Sequence, residues 1–489
     1  MSIWGPVRRK KSGSIFYRMF INGRWVSSSN NEFFEVRDPY DNSLVGMVPK
    51  ATKKDADTAI KAAHKAIAKL SQLGIYKRID IIEKMSNFVE KYKKDFVNTL
   101  VREAGKPVCY AEGEVNAVIE RLKLVSQEAR AMCGEFIPGD VCGVSGRVAV
   151  VVRQPVGVVL AISPFNYPFF ISIAKIAPAL VAGNAVVCKA ASDDPISTLM
   201  FGRIAELAGL PKGSLNIITG SSREIGDFMT SHPLVNMISF TGSSAVGKHI
   251  ASVAGMKKLH MELGGKGPAI VLEDADLVLA AKECVSGALK FSGQRCDALS
   301  RILVTESIAD DFVRLVLKEV KKWKVGNPKN RKTLIGPLIN ESAIKKVEEL
   351  VNDALSKGAK LLTGGKKKGL FYMPTILDYV NESMEIAWKE TFGPVVTIMR
   401  VKNLEEALRI ANKSEYGLDA SVFTKDINKA WKIAMKLESG SVTINGHPAH
   451  GVGVFPFGGD KDSGMGREGI WESVREMTKL HTIVMNIGD

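Results

Sequence analysis

Val156-Gly157-Val158-Val159-Leu160-Ala161-Ile162-Ser163-Pro164-Phe165-Asn166 opens the most regular third of the chain. Its first seven residues are apolar or glycine, the pattern of a strand buried on both faces, and a Ser-Pro pair then stops it. Beyond it, 169–181 reads as a helix, 184–188 as a strand, 196–208 as a helix and 214–218 as a strand. A helix from about 222, a strand over 237–240 and a helix from about 244 continue the alternation. Such alternation needs crossover connections and predicts an α/β fold, a parallel sheet covered by helices on both faces. Ligands of these sheets bind beyond the carboxyl ends of the strands. Three of those ends carry polar groups suited to a nucleotide: Ser163-Pro164-Phe165-Asn166, Lys189 and Thr241-Gly242-Ser243.

Toward the N-terminus, 16–48 reads as short extended pieces around turns. Apolar residues at helical spacing follow, from Asp55 to Leu70 and then over 79–89. A longer helix over 111–132 carries Arg121, either a solvated charge or a guanidinium turned to a substrate mouth. Residues 134–155 are strand-like and broken by glycine, more an arm than a core element. Toward the C-terminus, 301–322 reads as a strand then a helix. Helices over 341–357, 403–412 and 428–438 alternate with strands in a second α/β unit. The apolar tail 479–485 and the arm predict an open sheet edge, which seeks a partner.

The bulk numbers exclude several classes. At 489 residues, with 45% hydrophobic and 24% charged residues, the chain has material for large soluble cores. A net charge of +15 raises nucleic acid as a partner, yet Lys and Arg are spread throughout and no basic stripe alternates with aromatics. A lysine-rich solvated surface is expected, and no nucleic acid. The six cysteines form no CxxC pair and no zinc-like spacing, which predicts a reduced intracellular protein without a metal site. Arg8-Arg9-Lys10-Lys11 resembles the start of a signal peptide, but the next residues are too polar to continue one. No run approaches the ~18 apolar residues of a membrane span, so a cytoplasmic location is expected, with no membrane partner.

One cysteine has neighbours suited to chemistry. In Phe291-Ser292-Gly293-Gln294-Arg295-Cys296-Asp297-Ala298 a flexible pair precedes the thiol and a guanidinium adjoins it. Nearby positive charge raises the thiolate fraction; the competing reading is a buried structural cysteine. Gly242-Ser-Ser-Ala-Val-Gly247-Lys248 nearly completes a phosphate-binding loop, but His249 stands where Ser or Thr would hold Mg²⁺. Gly464-Met-Gly466-Arg-Glu-Gly469 matches a dinucleotide fingerprint formally, far from the βαβ region.

Met261-Glu262-Leu263-Gly264-Gly265-Lys266-Gly267-Pro268 precedes Cys296 by a fixed interval, 34 residues from Glu262. With Ser163-Pro-Phe-Asn166-Tyr-Pro168, Phe240-Thr-Gly-Ser243 and Lys389-Glu390-Thr-Phe392-Gly-Pro394, the ordered set resembles the aldehyde dehydrogenase superfamily over nearly the whole chain. Gly-Gln-Arg-Cys-Asp-Ala (293–298), Phe-Asn-Tyr-Pro (165–168), Phe136-Ile-Pro-Gly-Asp140 and Gly451-Val-Gly-Val-Phe-Pro-Phe-Gly-Gly459 are most similar to the archaeal non-phosphorylating glyceraldehyde-3-phosphate dehydrogenases. The resemblance implies oxidation of glyceraldehyde 3-phosphate to 3-phosphoglycerate without an acyl phosphate. Another small aldehyde, such as lactaldehyde, glycolaldehyde or a semialdehyde, is the alternative. It implies a Rossmann-type cofactor domain (1–133 and 152–260), a catalytic domain (261–456), and an oligomerisation arm with C-terminal tail (134–151 and 457–489) building dimers or tetramers.

The same resemblance assigns roles. Cys296 is the nucleophile, Asn166 and the Cys296 backbone N–H cradle the oxyanion, and Glu262 is the base that hydrolyses the thioester. Losing one oxyanion donor typically costs ~3 kcal/mol. Ile162, Ser163, Pro164, Lys189, Ser192, Phe240, Gly242, Ser243, Leu263, Gly264, Glu390 and Phe392 line the cofactor. NAD-preferring relatives carry a glutamate where Ser192 stands; a serine there, beside Lys189, suits a 2′-phosphate and predicts NADP over NAD. Tyr167, Arg295, Arg121, Asp297 and His450 are the substrate candidates. An arginine of the bacterial relatives falls at Ala117, so Arg121 would have to substitute, and another falls at His450.

Overall fold

The structure is a computed structural model that describes Ile3, Arg8–Arg9 and residues 15–488; Lys10 and Lys11 of the basic run lie outside the described residues. Two large sheets meet end to end. The first has eight strands in the order Gly464–Met465, Lys258–Glu262, Met237–Thr241, Val158–Ile162, Ala185–Lys189, Leu215–Ile218, Met19–Ile21, Arg24–Val26. The run from Lys258–Glu262 to Leu215–Ile218 is parallel, and antiparallel strands close both edges. Strand order reverses at Val158–Ile162: the chain first builds outward to one side, then returns to pair Met237–Thr241 on the other. That reversal opens a crevice above Ile162, where α/β sheets take their ligands.

The helix Pro168–Ala182 explains why this centre is rigid. Proline at its first turn lacks an N–H that would go unpaired anyway, and Gly183 at φ +98° ends it. Almost every side chain of the helix is buried, because it lies between the sheet and the helices Ile75–Lys91 and Val108–Arg130. Helix Lys53–Gln72 starts at a reciprocal Thr52–Asp55 capping box, a device worth about 1 kcal/mol.

The second sheet has seven strands, in the order Lys360–Thr363, Thr375–Asp378, Val395–Val401, Leu299–Thr305, Gly267–Val271, Asp419–Phe423, Ser441–Ile444. All are parallel except the first. Only Leu263-Gly264-Gly265-Lys266 separates the last residue of Lys258–Glu262 from the first of Gly267–Val271. The carboxyl ends of the first sheet therefore face the amino ends of the second, and the candidate residues collect at that seam.

Three details go beyond the sequence pattern. A helix Lys93–Glu103, separated from Ile75–Lys91 by Tyr92 alone, was not resolved in the sequence pattern. The arm strand Arg147–Pro155 runs past residue 151 and pairs in full with the tail Thr478–Asn486, with Glu135–Pro138 on its other side. The segment 457–489 is also more than a tail: Gly464–Met465 extends the first sheet, and Ile470–Glu476 packs on Val108–Arg130 and Pro168–Ala182. No helix among the described residues is long and apolar enough to cross a membrane.

Candidate active site

Cys296 is delivered by a strained turn. Phe291, Ser292 and Gly293 all take positive φ (51°, 56° and 71°) between helix Leu277–Leu289 and strand Leu299–Thr305. Such strain persists only where the surroundings fix it, and clusters at functional sites. Ser292 Oγ donates to the Gly336 carbonyl at 2.9 Å, and Gln294 Oε1 accepts from the Ile339 N–H at 3.0 Å. A side chain at Gly293 would collide with the Gly393 carbonyl, and one at Gly265 with the carbonyl of Cys296 itself. The glycine of the Glu262–Lys266 loop is thus what lets the nucleophile loop approach.

Burial, and then the carboxylates of Asp297, Asp419, Glu262 and Glu390, push the Cys296 thiol well above its ordinary value. The expected help from Arg295 is spent elsewhere. Its guanidinium makes a bidentate pair with Asp297 (2.8 and 2.7 Å) and a third bond to the Pro448 carbonyl (3.2 Å).

Glu262 ends its strand with only 2% of its surface exposed, and neither carboxylate oxygen has a hydrogen-bond partner. Burial raises its pKa well above the usual carboxylate range; Glu468 adds to the rise while Lys175 and Arg467 oppose it. Asn166 is buried, its Oδ1 accepts from the Tyr167 N–H at 3.1 Å, and its main-chain carbonyl accepts from Lys106 Nζ at 2.7 Å. Fixing Oδ1 turns the amide donors the other way.

The cofactor candidates gather around the crevice. Lys189 pairs in register with Ile162, its Nζ donates to Ser192 Oγ at 2.9 Å, and burial pushes its pKa down to about 8. Ser163 Oγ accepts from Ser172 Oγ at 2.8 Å, and Pro164 follows it in the same turn. Phe240 pairs with Ile162, and Gly242-Ser243 opens the helix Ser244–Val253, with Ser243 Oγ as its cap. A helix N-terminus at a strand end suits a pyrophosphate. Gly264 N–H donates to Ser244 Oγ (3.2 Å), Leu263 N–H to the Ser463 carbonyl (2.9 Å), and Gly265 N–H to Glu390 Oε1 (3.2 Å). A Cβ at Gly264 would lie 3.2 Å from Glu390 Oε1, so backbone and carboxylate form a narrow cradle there. Phe392, at φ +52°, packs edge-on against Phe165. These residues fit a dinucleotide laid over the switch point. Lys248 of the near-phosphate loop instead pairs with Asp462.

The substrate candidates divide. Tyr167 packs against Phe291, and its ring lies 4.0 Å from Lys106 Nζ. Arg295 keeps one enclosed nitrogen, Nη1, without a partner. His450 Nε2 lies 2.9 Å from Asp419 Oδ1, and this neighbour raises its pKa against the effect of burial. Arg121 is not at a mouth. It is 1% exposed, and its guanidinium holds the Val452 and Gly469 carbonyls (2.9 and 2.8 Å) and Ser473 Oγ (3.1 Å). A long cation can be buried this way only because backbone carbonyls replace water around it. Sequence reasoning missed Lys106, Asp419 and His260, all buried beside the candidates; of these only His260, two residues before Glu262, was signalled by spacing.

A Rossmann-like sheet with a switch-point crevice, joined through a glycine loop to a second sheet that delivers a cysteine, defines a dinucleotide-linked dehydrogenase architecture. The Aldehyde dehydrogenase family model matches residues 25–483. The chain is 41% identical over 476 residues to an NADP-dependent glyceraldehyde-3-phosphate dehydrogenase of Streptococcus equinus, covering 96% of this chain and 99% of that one. It is 38% identical over 472 residues to a lactaldehyde dehydrogenase of Methanococcus aeolicus, covering 96% and 100%. The NADP complex of a Bacillus halodurans NADP-dependent glyceraldehyde-3-phosphate dehydrogenase superposes with a TM-score of 0.95 at 40% identity, covering 96% and 99%. The protein belongs to the aldehyde dehydrogenase family and is an enzyme of it.

Proposed function

We propose that the protein oxidises glyceraldehyde 3-phosphate to 3-phosphoglycerate with NADP, through a thioester on Cys296 and without an acyl phosphate. The Cys296 thiol gives its proton to solvent water, and the thiolate adds to the aldehyde carbon. The new oxyanion is held by the Asn166 amide and the Cys296 N–H, a type of contact worth ~3 kcal/mol in the transition state. The dinucleotide, when bound, supplies the hydride acceptor. Glu262 then takes a proton from water, the hydroxide adds to the thioester carbonyl, and the C–S bond breaks to release acid and thiolate.

The cofactor preference rests on Lys189 and Ser192. Their side chains meet at 2.9 Å at the end of strand Ala185–Lys189, and position 192 carries no carboxylate to repel a 2′-phosphate. The observation that carries the substrate reading is Arg295 Nη1, a buried guanidinium nitrogen two bonds from the chain's own ion pair and free of any partner. A phosphate or other anionic head group satisfies it.

A second reading has its own observation. Asp297 neutralises Arg295 and Asp419 faces His450, so the cations near Cys296 are already matched by acids. That balance favours a small aldehyde carrying no dianion, such as lactaldehyde. Catalytic efficiencies with NADP for glyceraldehyde 3-phosphate, lactaldehyde, glycolaldehyde and succinate semialdehyde separate the two. The first reading requires glyceraldehyde 3-phosphate to lead, and a lead for lactaldehyde replaces it with the second. For oligomer formation, the exposed apolar side chains of Thr478–Asn486 (Leu480, Ile483, Val484) support pairing of the arm sheet with a second copy.

A further inference from the structure

Residues i and i+2 of a strand share a face, so His260 stands beside Glu262 on strand Lys258–Glu262. The ring is buried. Its Nδ1 lies 3.2 Å from Ser239 Oγ on the neighbouring strand, while Nε2 is enclosed and has no hydrogen-bond partner. Both oxygens of Glu262 are in the same state, and Oε1 lies 3.7 Å from His260 Nε2. Two unpaired, desolvated groups of complementary kind thus face each other, and buried polar groups are seldom left so. A closing movement of less than about 1 Å brings them to hydrogen-bond distance. Glycine lines the gap on its far side: a Cβ at Gly458 would lie 2.9 Å from Glu262 Oε1, and one at Gly466 2.9 Å from His260 Cδ2. The pair therefore meets with no side chain between.

We infer that His260 is a positioning residue for the base: Ser239 donates to Nδ1, Nε2–H donates to the Glu262 carboxylate, and the carboxylate stays ionisable in a pocket that excludes water. The inference rests on the reading of Glu262 as the base of thioester hydrolysis. Other charges also face the pair. Glu468 and Asp419 raise the pKa of Glu262, and Lys175 and Arg467 lower it. Burial, then the charges of Lys175 and Lys258 against those of Glu468 and Glu476, push the pKa of His260 down to about 4, so the ring is a neutral donor at working pH. The sign follows. A donor stabilises the ionised carboxylate, so its removal raises the pKa of Glu262 further, and the acid limb of hydrolysis moves to higher pH.

The test uses p-nitrophenyl acetate, which acetylates Cys296 directly and needs neither cofactor nor a chosen aldehyde. Its burst reports acylation and its slow phase deacylation, each followed between about pH 6 and 9. In H260F the deacylation limb is expected to move up by about one pH unit and the neutral-pH rate to fall about tenfold, with the burst unchanged. H260Q keeps a side-chain donor and returns the limb most of the way; S239A moves it in the same direction by less. A wild-type limb in H260F, or an H260Q limb displaced as far as that of H260F, overturns the inference. If H260F does not fold, a wild-type limb in S239A overturns it instead. E262Q separates the two layers: wild-type deacylation in E262Q removes the base reading itself, whereas a blocked E262Q with an unmoved H260F limb removes only the role of His260.

Discussion

Lys106 Nζ donates a 2.7 Å hydrogen bond to the main-chain carbonyl of Asn166 from a fully buried position. The same ammonium pairs with Glu114 and lies 4.0 and 4.3 Å from the ring centres of Tyr167 and Phe291. Glu114 in turn accepts from the Phe169 and Phe170 N–H groups at 3.0 Å, the start of helix Pro168–Ala182. One cation thereby ties the loop bearing Asn166 to the loop bearing Cys296.

Removing Lys106 alone leaves a buried carboxylate unpaired, a loss of about 3–5 kcal/mol in folding stability. K106M/E114Q avoids that charge and keeps an acceptor for the helix N–H groups. Its expected phenotype is a slower acylation burst, by about a hundredfold, because small displacements of a positioned donor cost that much. Stopped-flow measurement of the burst checks it; a wild-type burst in a folded double variant removes the link between Lys106 and the oxyanion site.

Cys296 is held as a thiol by burial and by four surrounding carboxylates. Alkylation proceeds through the thiolate. Inactivation by iodoacetamide is therefore expected to be slow at pH 7 and still rising above pH 9. A plateau below about pH 8 contradicts the electrostatics of the site.

Ser192 Oγ lies 2.9 Å from Lys189 Nζ, so replacing Ser192 by Glu puts a carboxylate beside that lysine, at the position proposed for a 2′-phosphate. The ratio of kcat/KM for NADP over NAD is expected to fall at least about tenfold, the scale of one charge-assisted hydrogen bond. An unchanged ratio assigns cofactor choice to other residues.

His450 and Arg295 divide the two substrate readings. R295M is expected to lower kcat/KM for glyceraldehyde 3-phosphate about tenfold or more while leaving lactaldehyde within about threefold. H450R, which adds a permanent charge opposite Asp419, is expected to favour the phosphorylated aldehyde. Equal losses on both aldehydes in R295M mean that Arg295 supports the loop and reads no anion.

The sheet centred on Val158–Ile162 was legible because both its faces are buried, which leaves an uninterrupted apolar run with hard polar stops. Its neighbours fell within a residue or two of expectation for the same reason. Two-residue edge strands such as Gly464–Met465 carry no such pattern; their place is set by the partner strand. Arg121 shows the limit for charges. On a helix it reads as solvated or ligand-facing, and the carbonyls that bury it come from loops more than three hundred residues away. Lys106 escaped notice in the same way, since its partner Asn166 lies 60 positions on. His260 was within reach: a period of two from Glu262 is local information, but the 3.7 Å approach of their unpaired polar atoms is not. Of the acids around Cys296, Glu262, Asp297 and Glu390 stand in the sequence motifs and only Asp419 was hidden, but Arg295 beside the thiol pointed to the opposite electrostatics.

The most direct measurement of the central claim is the intact mass of E262Q after mixing with NADP and glyceraldehyde 3-phosphate, followed by peptide mapping. The account predicts one equivalent of NADPH and a trapped acyl group on the peptide containing Cys296, with no such adduct in C296S. Steady turnover by C296S, or an acyl group carried on any other residue, contradicts it.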